Sequence, residues 1–500
     1  MAEKFYDPIP ERILDQVVAE LKQALGDEWV SDDPVTCICY SRDQSIVRAK
    51  KPNLVALPAG TEDVQKVIRI ARRFQVPVQP YSTGINSYGG CIPEKAGILL
   101  DLRRMNRVLE VDPENMVMRV QPFVSFGWGQ CIGEKLGMRL INPTAPPTPS
   151  ILANFLDKGV GLSSTKYGMG PEHILGMTIV DAEGEIIKTG CDAYPGLGHV
   201  NLPGPGPDLA GIYEASLGVF GVCTEMVVQL YHWPRHEIFT ALTSEDEDLE
   251  GILRIMKALV REDITEEMFL FQDGYFAIGG AENNEGAEIM RKYMPKNSII
   301  FYLMGKTEEE LAIKKRQLDR FVERTGATYV KQAFMDLFNQ ALDARRCLKI
   351  TQQTPRAERL RGSFLIMWFN TTFAELPHLT RLYRNLLRET VADSDPRAAK
   401  DPFPKESPAV YVQPMEFGRT IGVEFDVFWS PDDPESVKRT FPVGPAVTNL
   451  ILDHGGWYER TSRAGILQSP RLPVWFPVLK EIKQTLDPLN ILNPGRMGLP

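Results

Sequence analysis

Apolar residues first recur at helical spacing in Ile13–Leu25, where Leu14, Val17, Val18, Leu21 and Leu25 share one face. The segment predicts an amphipathic helix serving as a lid or packing extension. From Lys51 the period changes. Leu54–Leu57 is a short apolar run, Pro58-Ala-Gly-Thr61 is a turn with Thr61 as N-cap, and Val64, Val67, Ile68 and Ala71 line the buried side of the next helix. Val76–Gln79 returns as a parallel strand, so this stretch reads as a βαβ unit whose second strand runs into Ser82–Gly90. Short strands follow at 97–102, 105–111 and 116–120, punctuated by Asp112-Pro113 and Pro122, with a helix at Phe126–Leu136. Proline makes 142–149 a stiffened loop, and a helix begins near Ser150–Asn154. Thr178–Val180 and Glu185–Thr189 flank the turn Asp181–Gly184 as a hairpin, and Met226–Tyr231 is a further strand.

Pro234 marks a boundary in texture. Beyond it, helices at Leu249–Val260 and Thr307–Thr325 alternate with strands such as Ser298–Met304, the pattern of an α+β unit with a broad antiparallel sheet. Gly422–Trp429 alternates strictly, with Val423, Phe425 and Val427 on one face and Glu424, Asp426 and Phe428 on the other. Two carboxylates on one face of an otherwise apolar strand are either solvated or aimed at a site.

Five hundred residues leave room for two to four domains, and 43% hydrophobic with 24% charged residues is an ordinary globular balance. A net charge of -9 argues against a nucleic-acid surface, and no window is apolar enough for a membrane span or a signal peptide. Seven scattered cysteines, with Cys37-x-Cys39 the tightest pair, match neither a zinc nor a redox spacing, so a reducing, cytoplasmic setting is expected. The six histidines are dispersed. His173 stands alone before a strand and Asp453-His454-Gly-Gly lacks a second histidine in register, so no metal is expected.

The chemistry concentrates in Tyr81-Ser-Thr-Gly-Ile-Asn-Ser-Tyr-Gly-Gly90. Small residues and glycines let backbone N–H groups converge on one point, which suits phosphate oxygens. The loop is neither a Walker sequence nor the G-x-G-x-x-G of nicotinamide enzymes. Three further stretches follow in order: Ser150…Asn154…Gly159-Val-Gly161…Tyr167-Gly168, then Ser216-Leu-Gly218…Gly221-Val-Cys-Thr-Glu225, then Asp487-Pro-Leu-Asn-Ile-Leu-Asn-Pro-Gly495-Arg496. With the first loop, they make the chain resemble the vanillyl-alcohol oxidase / p-cresol methylhydroxylase family of FAD-dependent oxidoreductases, over most of 50–235 and the last fifty residues.

The resemblance implies an α+β protein: an N-terminal helical extension (1–50), a two-part FAD-binding domain (51–235), a cap or substrate domain with an antiparallel sheet (236–450) and a C-terminal segment returning to the flavin domain (451–500). It places Ser82, Thr83, Gly84, Ile85, Asn86, Ser87 and Gly89 around the FAD diphosphate. Pro147, Ser150, Asn154, Gly161 and Tyr167 would line the same cofactor, and Gly221 and Val222 would meet its adenosine half. Arg496 falls where the family keeps a cation near the flavin's pyrimidine edge, its bland alternative being a surface arginine in a tail.

Family members bind a phenol as phenolate between tyrosines and an arginine, and hydride leaves a benzylic carbon for flavin N5. Tyr88 takes the first tyrosine position. Tyr458 and Arg460 resemble the later tyrosine–arginine step but are separated by Glu459, and the alternative is that Tyr458 packs while Arg460 pairs with an acid. Glu424 and Asp426 are candidates for base or substrate contact. No His or Tyr stands in Phe364–Phe369, where the family anchors flavin covalently, so dissociable FAD is expected. The acid that the archetypal oxidase keeps near flavin N5 falls in the 142–149 loop, which has none.

The first expectation is therefore oxidation of a para-substituted phenol or benzylic alcohol, a small aromatic substrate. A cytochrome or an electron-transfer flavoprotein would accept the electrons, and the protein would be a homodimer. The alternatives are a 2-hydroxy acid dehydrogenase, with Arg460 or Arg419 holding the carboxylate, and a flavin subunit that relays electrons in a larger complex.

Overall fold

The computed structural model describes residues 9–141, 147–197, 204–244, 249–280, 284–341, 363–390, 409–460 and 464–500. Three sheets organise it. The first contains β1 (Val30–Ser31), β2 (Leu54–Ala56), β3 (Val78–Tyr81) and β4 (Ile98–Asp101) in the order β1-β2-β4-β3. β4 runs parallel to both β2 and β3 and lies between them. The predicted βαβ unit is therefore real in direction, but its two strands are split by a third inserted from later in the chain. The helices Glu11–Leu25 (α1) and Thr61–Phe74 (α2) pack against this sheet through Val17, Val18, Leu21, Val64, Val67 and Ile68. Thr61 is the first helical residue rather than the cap. Gly60 caps without a side chain, and the Thr61 hydroxyl bonds Thr224 at 3.0 Å instead.

The second sheet is antiparallel. Its strands β5 (Val108–Asp112), β6 (Val117–Val120), β8 (Ile174–Val180), β9 (Ile186–Gly190) and β10 (Val222–Gln229) take the order β5-β6-β10-β8-β9. The short β7 (Met138–Arg139) pairs instead with β11 (Tyr231–His232). β10 starts four residues earlier than the pattern of Met226–Tyr231 indicates, because Val222 and Cys223 pair with Val180 and Ile179.

The third sheet, the cap, holds seven strands: β12 (His236–Ser244), β13 (Glu267–Gln272), β14 (Asn297–Gly305), β15 (Ala327–Tyr329), β16 (Ser363–Thr371), β17 (Ala409–Met415) and β18 (Thr420–Trp429). Their order is β15-β12-β14-β13-β17-β18-β16, every pairing antiparallel. One face carries Phe369, Val410, Val412, Val423 and Phe425 against the helices Leu249–Arg261, Leu376–Thr390 and Val443–Asp453. The other carries Trp368, Phe269, Phe271 and Tyr411 and meets Val160 and Leu162 from the first half of the chain.

Ionic contacts fasten the cap sheet to the first half of the chain. Arg139 bonds Glu267 on β13, whose carboxylate also accepts from the Ser163 hydroxyl at 2.7 Å, while Tyr167 and Lys166 reach Glu266 at 2.9 and 3.2 Å. At the other end, Ile491 and Asn493 lay the C-terminal segment alongside β3 through Val78. Asp487 accepts the Ile491 and Leu492 N–H groups and pairs with buried Lys483, so the Asp-Pro-Leu-Asn turn is held by charge in a dry setting.

Candidate active site

β3 delivers the first glycine-rich loop. Gly84 has φ +73°, and a Cβ there would stand 2.0 Å from the Tyr81 hydroxyl, so only glycine fits. The Ser82 hydroxyl bonds the Pro122 carbonyl at 2.5 Å, Thr83 Oγ1 accepts the Ser150 N–H at 3.2 Å, and Asn86 Oδ1 accepts the N–H groups of Tyr88 and Gly90. What remains is informative. The N–H groups of Thr83, Gly84, Ile85, Asn86 and Ser87 donate to nothing among the described residues. Five consecutive amides without an acceptor, beside a position that tolerates no side chain, match a ligand rich in anionic oxygen.

Ser150 is half of this arrangement, since its hydroxyl caps the helix Ile151–Leu156 by accepting the Ala153 N–H. Asn154, on that helix, turns a buried Oδ1 with no donor among the described residues towards Gly159, where any Cβ would lie 1.8 Å from it. Gly161 donates its N–H to the Ser164 hydroxyl, and Gly221 is packed so tightly on β8 that a Cβ would meet Ile179 at 2.5 Å. Val222 is buried in β10. The Tyr167 hydroxyl is committed to Glu266 of the cap. Pro147 accepts the Gly127 N–H through its carbonyl, and residues 142–146 of the proline loop lie outside the described ones. Arg496 is no surface tail residue. It is 1% exposed and spends its guanidinium on the Gly89 and Ile92 carbonyls and on Glu94, clamping the exit of the glycine loop.

The second centre lies on the cap face that carries Trp368 and Tyr411. Register places Glu424 on β18 opposite Trp368 on one side and Tyr411 on the other, with Asp426 two residues along. The Tyr275 hydroxyl, from the helix Asp273–Gly280, bonds both carboxyls, 2.6 Å from Glu424 and very close to Asp426. The acids are thus not solvated: Asp426 is 2% exposed. Burial raises the proton affinity of both acids, that of Asp426 well above the ordinary carboxylate range because Glu424 also repels its charge. Two interacting acids of this kind give up their protons as a pair, in two steps.

Arg460 joins them. Its guanidinium lies 5.7 Å over the Trp368 ring, donates to the Lys158 carbonyl at 2.8 Å and holds the Glu424 proton affinity down. Glu459, read from sequence as an interruption, accepts from Trp368 Nε1 at 2.6 Å and from Asn370 Nδ2. Asp157, beside them, is pushed up to about 7 by burial and by Glu459, against the pull of Arg460.

Tyr458 is elsewhere. Alternation along 457–460 sends it through to the opposite face, where it packs with Phe369 and its hydroxyl meets only Thr448 at 3.5 Å. Tyr88 is half-buried, with its N–H on Asn86. Arg419 points outward and pairs with Glu416. His173 is buried on Tyr231 at 2.8 Å, its pKa pushed down to about 4 by burial, which is the environment of a structural histidine. Sequence reasoning missed Tyr275, Trp368, Asn370, Tyr411, Asp157 and Glu459. For Trp368 and Asn370 a signal existed, since they share a strand face at period two with an acid on the neighbouring strand. Tyr275 gave none.

Comparison with known proteins bears on the fold and the cofactor. The FAD binding domain family matches residues 52–190, which contain the glycine loop and the Ser150–Tyr167 stretch. The chain is similar across its length to the structure of a 4-ethylphenol oxidase from Gulosibacter chungangensis, with TM-score 0.85 and 19% identity over 99% of both chains. It is an FAD-linked oxidoreductase with the fold of the vanillyl-alcohol oxidase / p-cresol methylhydroxylase type. The structure of p-cresol methylhydroxylase matches with TM-score 0.83 and 20% identity over 99% of this chain and 98% of that one. In sequence, the oxidoreductase is 27% identical to the glycolate oxidase subunit GlcD of Bacillus subtilis over 262 residues, 52% of this chain and 54% of that protein. Among the described residues no helix is long and apolar enough to cross a membrane.

Proposed function

We propose that this oxidoreductase removes hydride from the benzylic carbon of a para-substituted phenol or benzylic alcohol, with Glu424 and Asp426 taking up the proton. The observation that carries the reading is the carboxyl pair bridged by Tyr275 between the rings of Trp368 and Tyr411. An aromatic ring can lie against those walls, and a buried acid with raised proton affinity is a competent acceptor for a substrate hydroxyl. The amides of Thr83–Ser87 would hold the diphosphate, and Asn154 and Ser150 would stand along the same cofactor. FAD, when bound, supplies the two-electron acceptor. Tyr275 keeps the pair poised by bridging both carboxyls through its one hydroxyl, and Arg460 limits how far Glu424 loses its acidity.

The resemblance to a glycolate oxidase subunit keeps 2-hydroxy acids in view, but the electrostatics weigh against them. Arg419 is outside, and Arg460 is hemmed in by Glu459, Glu424 and Asp157, so a substrate carboxylate would meet more negative than positive charge. Anaerobic bleaching of the flavin by 4-alkylphenols or benzylic alcohols, and not by glycolate or D-lactate, is the expected result. Bleaching by hydroxy acids alone would sink the proposal, and bleaching only by a partner protein would make the chain an electron relay. β16 offers no His or Tyr in Phe364–Phe369, so we further propose dissociable FAD. Acid precipitation should leave the yellow colour in the supernatant.

A further inference from the structure

At the Asn370 end of the same cap face stands a second polar group that proton transfer does not require. The Glu459 carboxylate receives Trp368 Nε1–H and Asn370 Nδ2–H, and Arg460 Nε lies 3.8 Å from Glu459 Oε1. A carboxylate on Nδ2 fixes the amide orientation, because the reverse would set oxygen against oxygen. Asn370 Oδ1 is thereby turned away from Glu459. It is buried in a residue only 3% exposed and has no donor among the described residues. Buried acceptors are nearly always matched, so one left open beside aromatic walls asks for a donor brought by a ligand.

We propose that Asn370 and Glu459 form a substrate subsite that recognises a ring substituent as a hydrogen-bond donor, a neutral phenolic hydroxyl or an ammonium group, and that rejects a carboxylate there. The inference rests on the aromatic reading above and specifies its substrate class. Every group facing the subsite bears on the sign. Arg460 is occupied by the Lys158 carbonyl, the Trp368 ring and Glu459, while Glu424 and Asp157 add negative charge from β18 and from the end of the Ile151–Leu156 helix. Burial already makes Glu459 and Asp157 reluctant to ionise, although Arg460 and Lys158 assist Glu459. A further anion would add repulsion, whereas an O–H or N–H donor would fill the open acceptor.

The test uses redox-inert ligands on the FAD-loaded enzyme, so it does not depend on turnover. Affinities of phenol, benzylammonium, anisole and benzoate are measured by calorimetry and by perturbation of the flavin spectrum. Phenol and benzylammonium are expected to bind at least ~10-fold more tightly than anisole and benzoate, since a site built around a donor discriminates strongly against its absence. Glu459→Gln should narrow the phenol-to-benzoate ratio by about 10-fold, a change in selectivity that a merely structural role would not produce. Benzoate binding as tightly as phenol in the wild-type enzyme overturns the subsite, whether or not the variant folds, and an unchanged ratio in a folded variant removes Glu459 from it. The expected order of affinities, with no benzylic compound reducing the flavin, would leave the subsite standing and remove the proposed reaction instead.

Discussion

Replacing Gly84 by alanine tests the cofactor loop at its tightest point. Two costs arise there. An L-residue at φ +73° bears left-handed strain of roughly 1–2 kcal/mol. The new Cβ would also sit 2.0 Å from the Tyr81 hydroxyl and 2.6 Å from its ring carbon, far inside contact distance. Tyr81 cannot simply swing aside, because its ring packs edge-on to Tyr40 at 5.2 Å and Tyr40 is tied to Asp101 and Arg103. Overpacking of this kind costs ~1–3 kcal/mol, so the loop conformation that gathers the five amides should lose about 2–5 kcal/mol in all. Loss of a binding-competent conformation appears directly in affinity, at tenfold per 1.4 kcal/mol. The FAD dissociation constant of Gly84→Ala should therefore rise on the order of 30-fold or more, read by flavin fluorescence on dilution and by the thermal shift that FAD produces. Gly137→Ala is the control. It has φ +68° and nothing within 4 Å of its Cβ, so it should cost strain alone, lower the melting temperature slightly and leave FAD affinity unchanged. If Gly84→Ala bound FAD within twofold of wild type, the loop would not be the diphosphate site and the reasoning would fail.

Three other outcomes follow from the second centre. Tyr275→Phe removes a donor that holds the Glu424 proton affinity down, so the acidic limb of the kcat/KM profile should move up by about one pH unit; an unmoved limb would detach the pair from the proton transfer. Asp157 binds its proton more tightly in the folded chain, at about 7, than in the unfolded one, near 3.9. The folded state thus carries more protons between those values, and stability falls as pH rises from ~4 to ~7. Asp157→Asn should match wild type in melting temperature near pH 4 and exceed it increasingly up to neutrality; a gap that shrinks with pH would reverse the assignment. Tyr458→Phe loses only a long contact to Thr448, so stability should change by less than ~1 kcal/mol and kcat by less than twofold, and a tenfold loss of kcat would put Tyr458 back at the reaction.

Much of the architecture was legible because it is local. A tight turn of glycines and small residues after β3, a short helix beginning at Ser150 and the alternation of Val423–Glu424–Phe425–Asp426 are each dictated by neighbours a few residues away, and the structure keeps all of them. The direction of β2 and β3 was likewise readable, from strand-helix-strand spacing. Which strand came between them was not, because β4 is chosen by pairing across the sheet and nothing near Val55 names Leu99.

The site divides along the same line. Sequence alone determined that two carboxylates share a strand face and that a run of small residues and glycines follows β3. Only the tertiary structure decided what those groups are. It brought Tyr275 from a distant helix to bridge the acids, set Trp368 and Tyr411 on either side of Glu424, and put Glu459 rather than Tyr458 on the face that carries Trp368. A charge's surroundings depend on segments more than a hundred residues away, and in a desolvated setting those surroundings set both its proton affinity and its partner.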